Sequence, residues 1–197
     1  MQQLPIKVVL CGSPHSGKSC LRDGLKQAMM SMHRDGKAPY PHFITACPDG
    51  EGAWFAETVR NNSALAQQLK DEYKSKFTLE FAQQKAIQVQ NACLPLNMID
   101  LGGKIDEKNK LIASYATHAL ILFRDITQIS PWQEFCLELN LQIIACIYSD
   151  YHGVADQIDS ELSILTGSVH RLHRGEDVSG RPMVQALARL LVGLIGR

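Results

Sequence analysis

The stretch Ile6-Lys7-Val8-Val9-Leu10-Cys11-Gly12-Ser13-Pro14-His15-Ser16-Gly17-Lys18-Ser19 joins a short apolar run to an octapeptide bounded by glycine and lysine. Ile6 to Cys11 predicts a strand, and the residues from Gly17 to His33 predict a helix. Between them, Gly12 to Ser19 fits G-x-x-x-x-G-K-[ST]. Typical residue frequencies give on the order of 0.01 chance matches in a chain this long, and the strand-before, helix-after setting is the one the motif's mechanics require. Glycines at 12 and 17 let the backbone curl so that successive N–H groups converge on an anion. The positive end of the following helix points at the same place. Lys18 supplies a point charge for the outer phosphates, Ser19 a hydroxyl for Mg²⁺, and Cys20 sits in the helix's first turn.

On these residues the chain resembles the P-loop nucleoside triphosphatases, over essentially its whole length. The resemblance implies a three-layer α/β fold, a mainly parallel sheet with helices on both faces, and Mg²⁺-bound ATP or GTP at the carboxyl ends of the strands. Gly12, Ser13, Pro14, His15, Ser16, Gly17, Lys18, Ser19 and Cys20 would form the phosphate cradle. Such proteins carry an acid at the end of a second core strand, and Asp100, closing Leu96-Asn97-Met98-Ile99-Asp100, matches it. With Ser19 it would hold Mg²⁺. Asp100-Leu101-Gly102-Gly103 also fits D-x-x-G, whose glycine N–H contacts the γ-phosphate in switch proteins, so Gly103 becomes the candidate γ-phosphate sensor. Lys104 follows it, although a solvated loop lysine is the plainer reading.

Guanine-specific members carry N/T-K-x-D after a late strand. Here Ser149-Asp150-Tyr151-His152 stands after the fifth run, so ATP is expected over GTP. The acidic turn Pro48-Asp49-Gly50-Glu51-Gly52 follows the second predicted strand, where small-molecule kinases place a substrate carboxylate. Asp49 or Glu51 could accept a proton or position the nucleophile, against the alternative of an ordinary polar turn. Trp54, Glu57 and Arg60 continue the segment. The run from Ala46 to Arg60, taken with the P-loop and Asp100 to Gly103, is also similar to the P-loop ATPase domain fused to a CRISPR-associated ring nuclease in cyanobacteria. That resemblance implies a cytoplasmic role near cyclic-oligoadenylate signalling, with ring-nuclease activity belonging to a partner.

Composition agrees with one globular α/β domain. The 197 residues are about one domain's worth and can bury about 70% of the unfolded surface. Apolar residues are 45% and charged residues 20%, with a formal net charge of zero, which argues against a general nucleic-acid coat. No apolar segment is long enough to predict a membrane span. The six cysteines form no C-x-x-C pair and read as buried free thiols in a reducing compartment.

Along the chain, five to six strands alternate with helices. Strands are expected over 42–47, 96–101, 119–123, 143–148 and 168–172. Helices are expected over 107–115, from about Pro131, over 155–165 and over 182–195. A helical insertion spans about 53–93, split near Ser75 to Thr78. Among lesser signals, Arg174, in the loop after the last strand with Arg171 and Arg181, is a candidate nucleotide contact. Arg22 and Arg124 fit either a phosphate contact or a structural ion pair. His170 and His173 are too poorly spaced for a metal pair on one strand. The closing helix, with Met183, Leu187, Leu190, Leu191 and Leu194 at helical spacing, reads as a sheet-packing face with room for a homodimer contact. Three functions stay open: a Mg²⁺-ATP-dependent hydrolase or phosphotransferase, a small-molecule or nucleoside kinase using Asp49 or Glu51, and a non-catalytic nucleotide sensor.

Overall fold

The computed structural model describes residues 4–48 and 77–195. Strand β1 (Ile6–Cys11) leads into helix α1 (Lys18–Arg34) and strand β2 (His42–Thr45). Helix α2 (Leu79–Gln90), strand β3 (Leu96–Asp100), helix α3 (Glu107–Ala113) and strand β4 (His118–Phe123) follow. A single 3₁₀ turn (Ile126–Gln128) runs into α4 (Ile129–Glu138), and the chain closes with β5 (Gln142–Asp150), β6 (Gln157–Ser160), β7 (Leu165–His170) and α5 (Pro182–Gly193). The acidic turn with Asp49 and Glu51, the following Trp54, Glu57 and Arg60, and the first half of the expected helical insertion lie outside the described residues. Its second half is α2, whose start is set by Thr78: the hydroxyl accepts from the Phe81 N–H at 3.2 Å.

The strands form one sheet in the order β2-β3-β1-β4-β5-β7-β6. β1 lies at the switch in chain order, parallel to β3 on one side and to β4 on the other. Leu10 is level with Asp100 and Cys11 with Ile121, so the loops leaving β1, β3 and β4 start from the same edge of the sheet. That edge is where ligands of open parallel sheets sit.

Period-two alternation sorts the strand side chains onto two faces. Val8, Leu10, Met98, Leu120 and Leu122 pack under α1 and α5, against Leu21, Leu25, Met29, Leu187 and Leu191. Val9, Cys11, Ile99 and Ile121 pack on the other face with Val89, Ile112, Trp132 and Phe135 from α2, α3 and α4. Both faces are covered, which is why β1, β3 and β4 are buried almost without interruption. The alternation also decides the site. Leu96 and Met98 belong to the α1 face, so Asp100, two further on, points to α1 as well.

Two expectations are corrected. The sheet has seven strands among the described residues, not five or six. The helix expected over Ala155 to Leu165 is absent: Gln157–Ser160 is strand β6, antiparallel to β7. Ile158 and Leu162 are four apart and mimic a helical stripe, but both are exposed, Leu162 at 95%. Pairing with β7 satisfies the backbone groups of an otherwise open sheet edge, and that tertiary gain outweighs a weak local periodicity. The pairing depends on Gly167. Its φ is 150°, and a Cβ there would sit 2.1 Å from the Gln157 carbonyl oxygen. Gly167→Ala is therefore expected to destabilise the protein by more than about 1 kcal/mol, measured by urea unfolding, and to open the β6 segment to limited proteolysis.

Candidate functional site

The loop between β1 and α1 is built by three left-handed residues, Gly12 (φ 144°), His15 (φ 63°) and Gly17 (φ 92°). Gly12 admits no substitute, since a Cβ would stand 2.0 Å from the Leu122 carbonyl oxygen on β4. At Gly17 it would stand 2.8 Å from the Leu172 side chain. Gly17 is also the N-cap of α1. No side chain caps that end and no acid lies in its first turn, so the first N–H groups stay directed at the loop. Lys18 Nζ donates to the carbonyls of Gly12 at 2.6 Å and Ser13 at 3.0 Å, folding its ammonium into the loop's mouth. Ser19 is exposed. Ser16 Oγ is buried and has no hydrogen-bond partner among the described residues.

Asp100 meets this loop through α1. Arg22, one helical turn beyond Ser19, places Nη1 3.3 Å from Asp100 Oδ2 and 3.2 Å from Thr45 Oγ1. One guanidinium thus ties the ends of β2 and β3 to the first helix. Of the two roles expected for Arg22, the structure shows the ion pair. The pair is partly buried, with side-chain exposures of 18% and 10%, so water screens it less than a surface bridge.

The Asp100–Gly103 loop then turns back onto the glycine loop. A Cβ on Gly103 would stand 2.7 Å from the Pro14 backbone nitrogen, so the two loops touch at a point only glycine allows. Asn109, buried at the start of α3, holds the return. Its Oδ1 accepts from Gly102 N at 3.2 Å, and its Nδ2 donates to the Lys104 carbonyl at 2.7 Å. The Lys104 side chain itself is exposed. The sequence pattern does not single out Asn109. Its only signal is the Asp106-x-x-Asn109 spacing, in which the Asp106 carboxylate caps α3 through the Asn109 N–H at 2.9 Å.

On the opposite side, the loop after β7 leans on the start of α1 through Leu172. Arg174 is exposed near the half-buried Cys20, whose thiol is pushed up mainly by burial. Arg181 donates to the carbonyls of His170 and Arg171 and to Glu176 Oε1 at 2.7 Å. The fully buried Asp156 carboxylate accepts from His170 Nδ1 at 2.6 Å, from His170 N and from Met183 N at the start of α5. His170 and Arg181 are thus structural supports of the loop, and His173 instead stacks edge-on with Tyr151 at 5.3 Å. Arg124 lies with its guanidinium 4.8 Å from the centre of that same ring. Directly beneath the glycine loop, burial pushes the Cys11 thiol well up, so it is a neutral core group.

The structure therefore brings together Gly12 to Ser19, Asp100 and Gly103, with Arg174 at the rim and Asp49 and Glu51 outside the described residues. Among the described residues no helix is long and apolar enough to cross a membrane. No protein-family model matches the chain, and no curated protein matches its sequence. Asn109→Ala, which removes both clamps on the Gly102–Lys104 return, is expected to cost about 1–3 kcal/mol in urea unfolding. Amide exchange at Gly102 and Gly103 should quicken more than in the sheet core; equal protection across both regions would count against the clamp.

Proposed function

We propose that the chain is a P-loop protein that binds Mg²⁺-ATP and hydrolyses it or passes on its γ-phosphoryl group. The observation that carries this reading is the return of the Asp100–Gly103 loop to the glycine loop. The glycine three residues past the end of β3 packs on Pro14 of the loop that the motif marks as a phosphate cradle, and the acid at the strand's end is tied by Arg22 to the helix that leaves that loop.

The residues fit the expected ligand. Backbone N–H groups of the loop and of the first turn of α1 would take the phosphate oxygens, with the helix end adding favourable potential. Lys18 would exchange its two carbonyl partners for phosphate oxygens, a stronger charge-assisted pairing. Ser19 and Asp100 are the residues that would hold Mg²⁺, and an ion that takes one carboxylate, a hydroxyl, waters and phosphates needs no larger acidic cluster. When bound, Mg²⁺ neutralises charge developing on the β- and γ-oxygens. Arg22 fixes the orientation of the Asp100 carboxylate. Gly103 packs on Pro14 of the glycine loop, which supports reading its N–H as the γ-phosphate contact and a switch-like coupling of nucleotide state to the Asp100–Asn109 region. Catalysis on this plan is positioning and electrostatics, with no covalent step on the protein.

ATP is favoured over GTP because Ser149-Asp150-Tyr151-His152 lacks the N/T-K-x-D pattern of guanine-specific members, and Asp150, the last residue of β5, serves a local turn. Its Oδ1 accepts from His152 N at 3.0 Å and Gly153 N at 2.8 Å, closing a turn. The kinase reading keeps Asp49 and Glu51 as its acids, and the cyclic-oligoadenylate context rests on the sequence resemblance alone.

Lys18→Ala is expected to lower ATP turnover by about 100-fold or more, measured as phosphate release with Mg²⁺; unchanged turnover would sink the assignment. In a thermal-shift comparison at equal concentration, Mg²⁺-ATP should raise the midpoint more than Mg²⁺-GTP, and the reverse order would overturn the base preference.

A further inference from the structure

Beside the Pro14 corner of the glycine loop, on the side away from α1, a cavity of about 940 Å³ opens at the ends of β4 and β5. Its size falls within the roughly 300–1,000 Å³ of small-molecule sites. Ser13 and Pro14 form one wall, and Phe123 and Tyr148 form another. The two rings lie 5.6 Å apart at 40°; Phe123 is 9% exposed and backs Tyr148, which is 39% exposed and presents the aromatic surface to whatever enters. An aromatic wall of this kind receives a planar ring.

Two polar groups stand at its mouth. Arg124 is held over the Tyr151 ring, which orients its guanidinium and costs less ordering on binding than a freely moving side chain would. Asp125 uses Oδ1 to accept from Thr127 N at 2.9 Å and Thr127 Oγ1 at 2.8 Å. The exposed carboxylate lines the cavity and suits a sugar hydroxyl. A forked cation, a carboxylate and a stacking wall together match an anion, a polyol and a flat base.

We propose that this cavity is a second ligand site that takes a nucleoside monophosphate, its base against Phe123 and Tyr148 and its phosphate on Arg124. The inference rests on the phosphate-loop reading only for its neighbour: the monophosphate lies next to the outer phosphates of a nucleotide held by Gly12 to Ser19. Neither Arg124 nor Tyr148 belongs to that loop, so the two sites can be tested apart.

The test is calorimetric titration of the full chain with adenosine 5′-monophosphate. It is run alone, with a saturating non-hydrolysable Mg²⁺-ATP analogue, and in Lys18→Ala. Adenosine serves as the uncharged control, and the analogue is titrated separately. The monophosphate is expected to bind in all three settings. Arg124→Gln should weaken it about tenfold or more while leaving adenosine and the analogue unchanged. Tyr148→Ala should weaken both monophosphate and adenosine about fivefold or more. Thermal midpoints of both variants confirm folding. No binding of the monophosphate below about 1 mM overturns the proposal. So does its displacement by the analogue together with loss in Lys18→Ala, which would put it in the phosphate loop. Loss of analogue binding with monophosphate binding retained keeps the cavity as a site and sinks the phosphate-loop reading instead.

Discussion

A methyl group on Gly12 would sit 2.0 Å from the Leu122 carbonyl oxygen, so the loop after β1 crosses the end of β4 at a distance that only a bare backbone permits. That crossing sets where the loop lies. It turns the chain into α1 at Gly17, aims the uncapped start of the helix at the loop's interior, and leaves Pro14 as the outer corner. Gly103 returns to that corner, and the cavity beside Phe123 opens from it. Both neighbouring features are placed by the same close approach.

The rest of the site is held by connections between elements far apart in sequence. Arg22 joins the ends of β2 and β3 to α1. Asn109 joins α3 to the glycine pair after β3. Asp156 joins β7 to α5, which steadies the loop bearing Leu172 and Arg174. Each pairs buried or half-buried polar groups whose desolvation would be costly if either partner were lost. The sheet supplies rigidity, and these polar ties supply alignment at its carboxyl edge.

The glycine loop, its strand and its helix were legible from residues 6–19 because their order is local: an apolar run, glycines where φ must be positive, then a helix without an acidic cap. Asp100 and Gly103 stand out through the resemblance to P-loop proteins, on a D-x-x-G that closes a predicted strand. Asn109 does not, because a buried asparagine in a short helix looks like any polar helix residue until its amide is seen spanning two loop groups. The 155–165 segment reads as a helix for a related reason. Ile158 and Leu162 are four apart, and only the open edge of β7 makes a strand the better arrangement.

The sequence by itself determined the positive-φ glycines of the loop after β1 and most of the alternation of strands and helices, since each follows from torsional freedom or periodicity within a few consecutive residues. Only the tertiary structure decided that Arg22 pairs with Asp100, that Gly103 rests on Pro14, that β6 runs antiparallel at the sheet edge, and that Phe123 and Tyr148 wall a cavity beside the loop. These are contacts between residues tens of positions apart, fixed by strand order and register, and no local pattern carries that information.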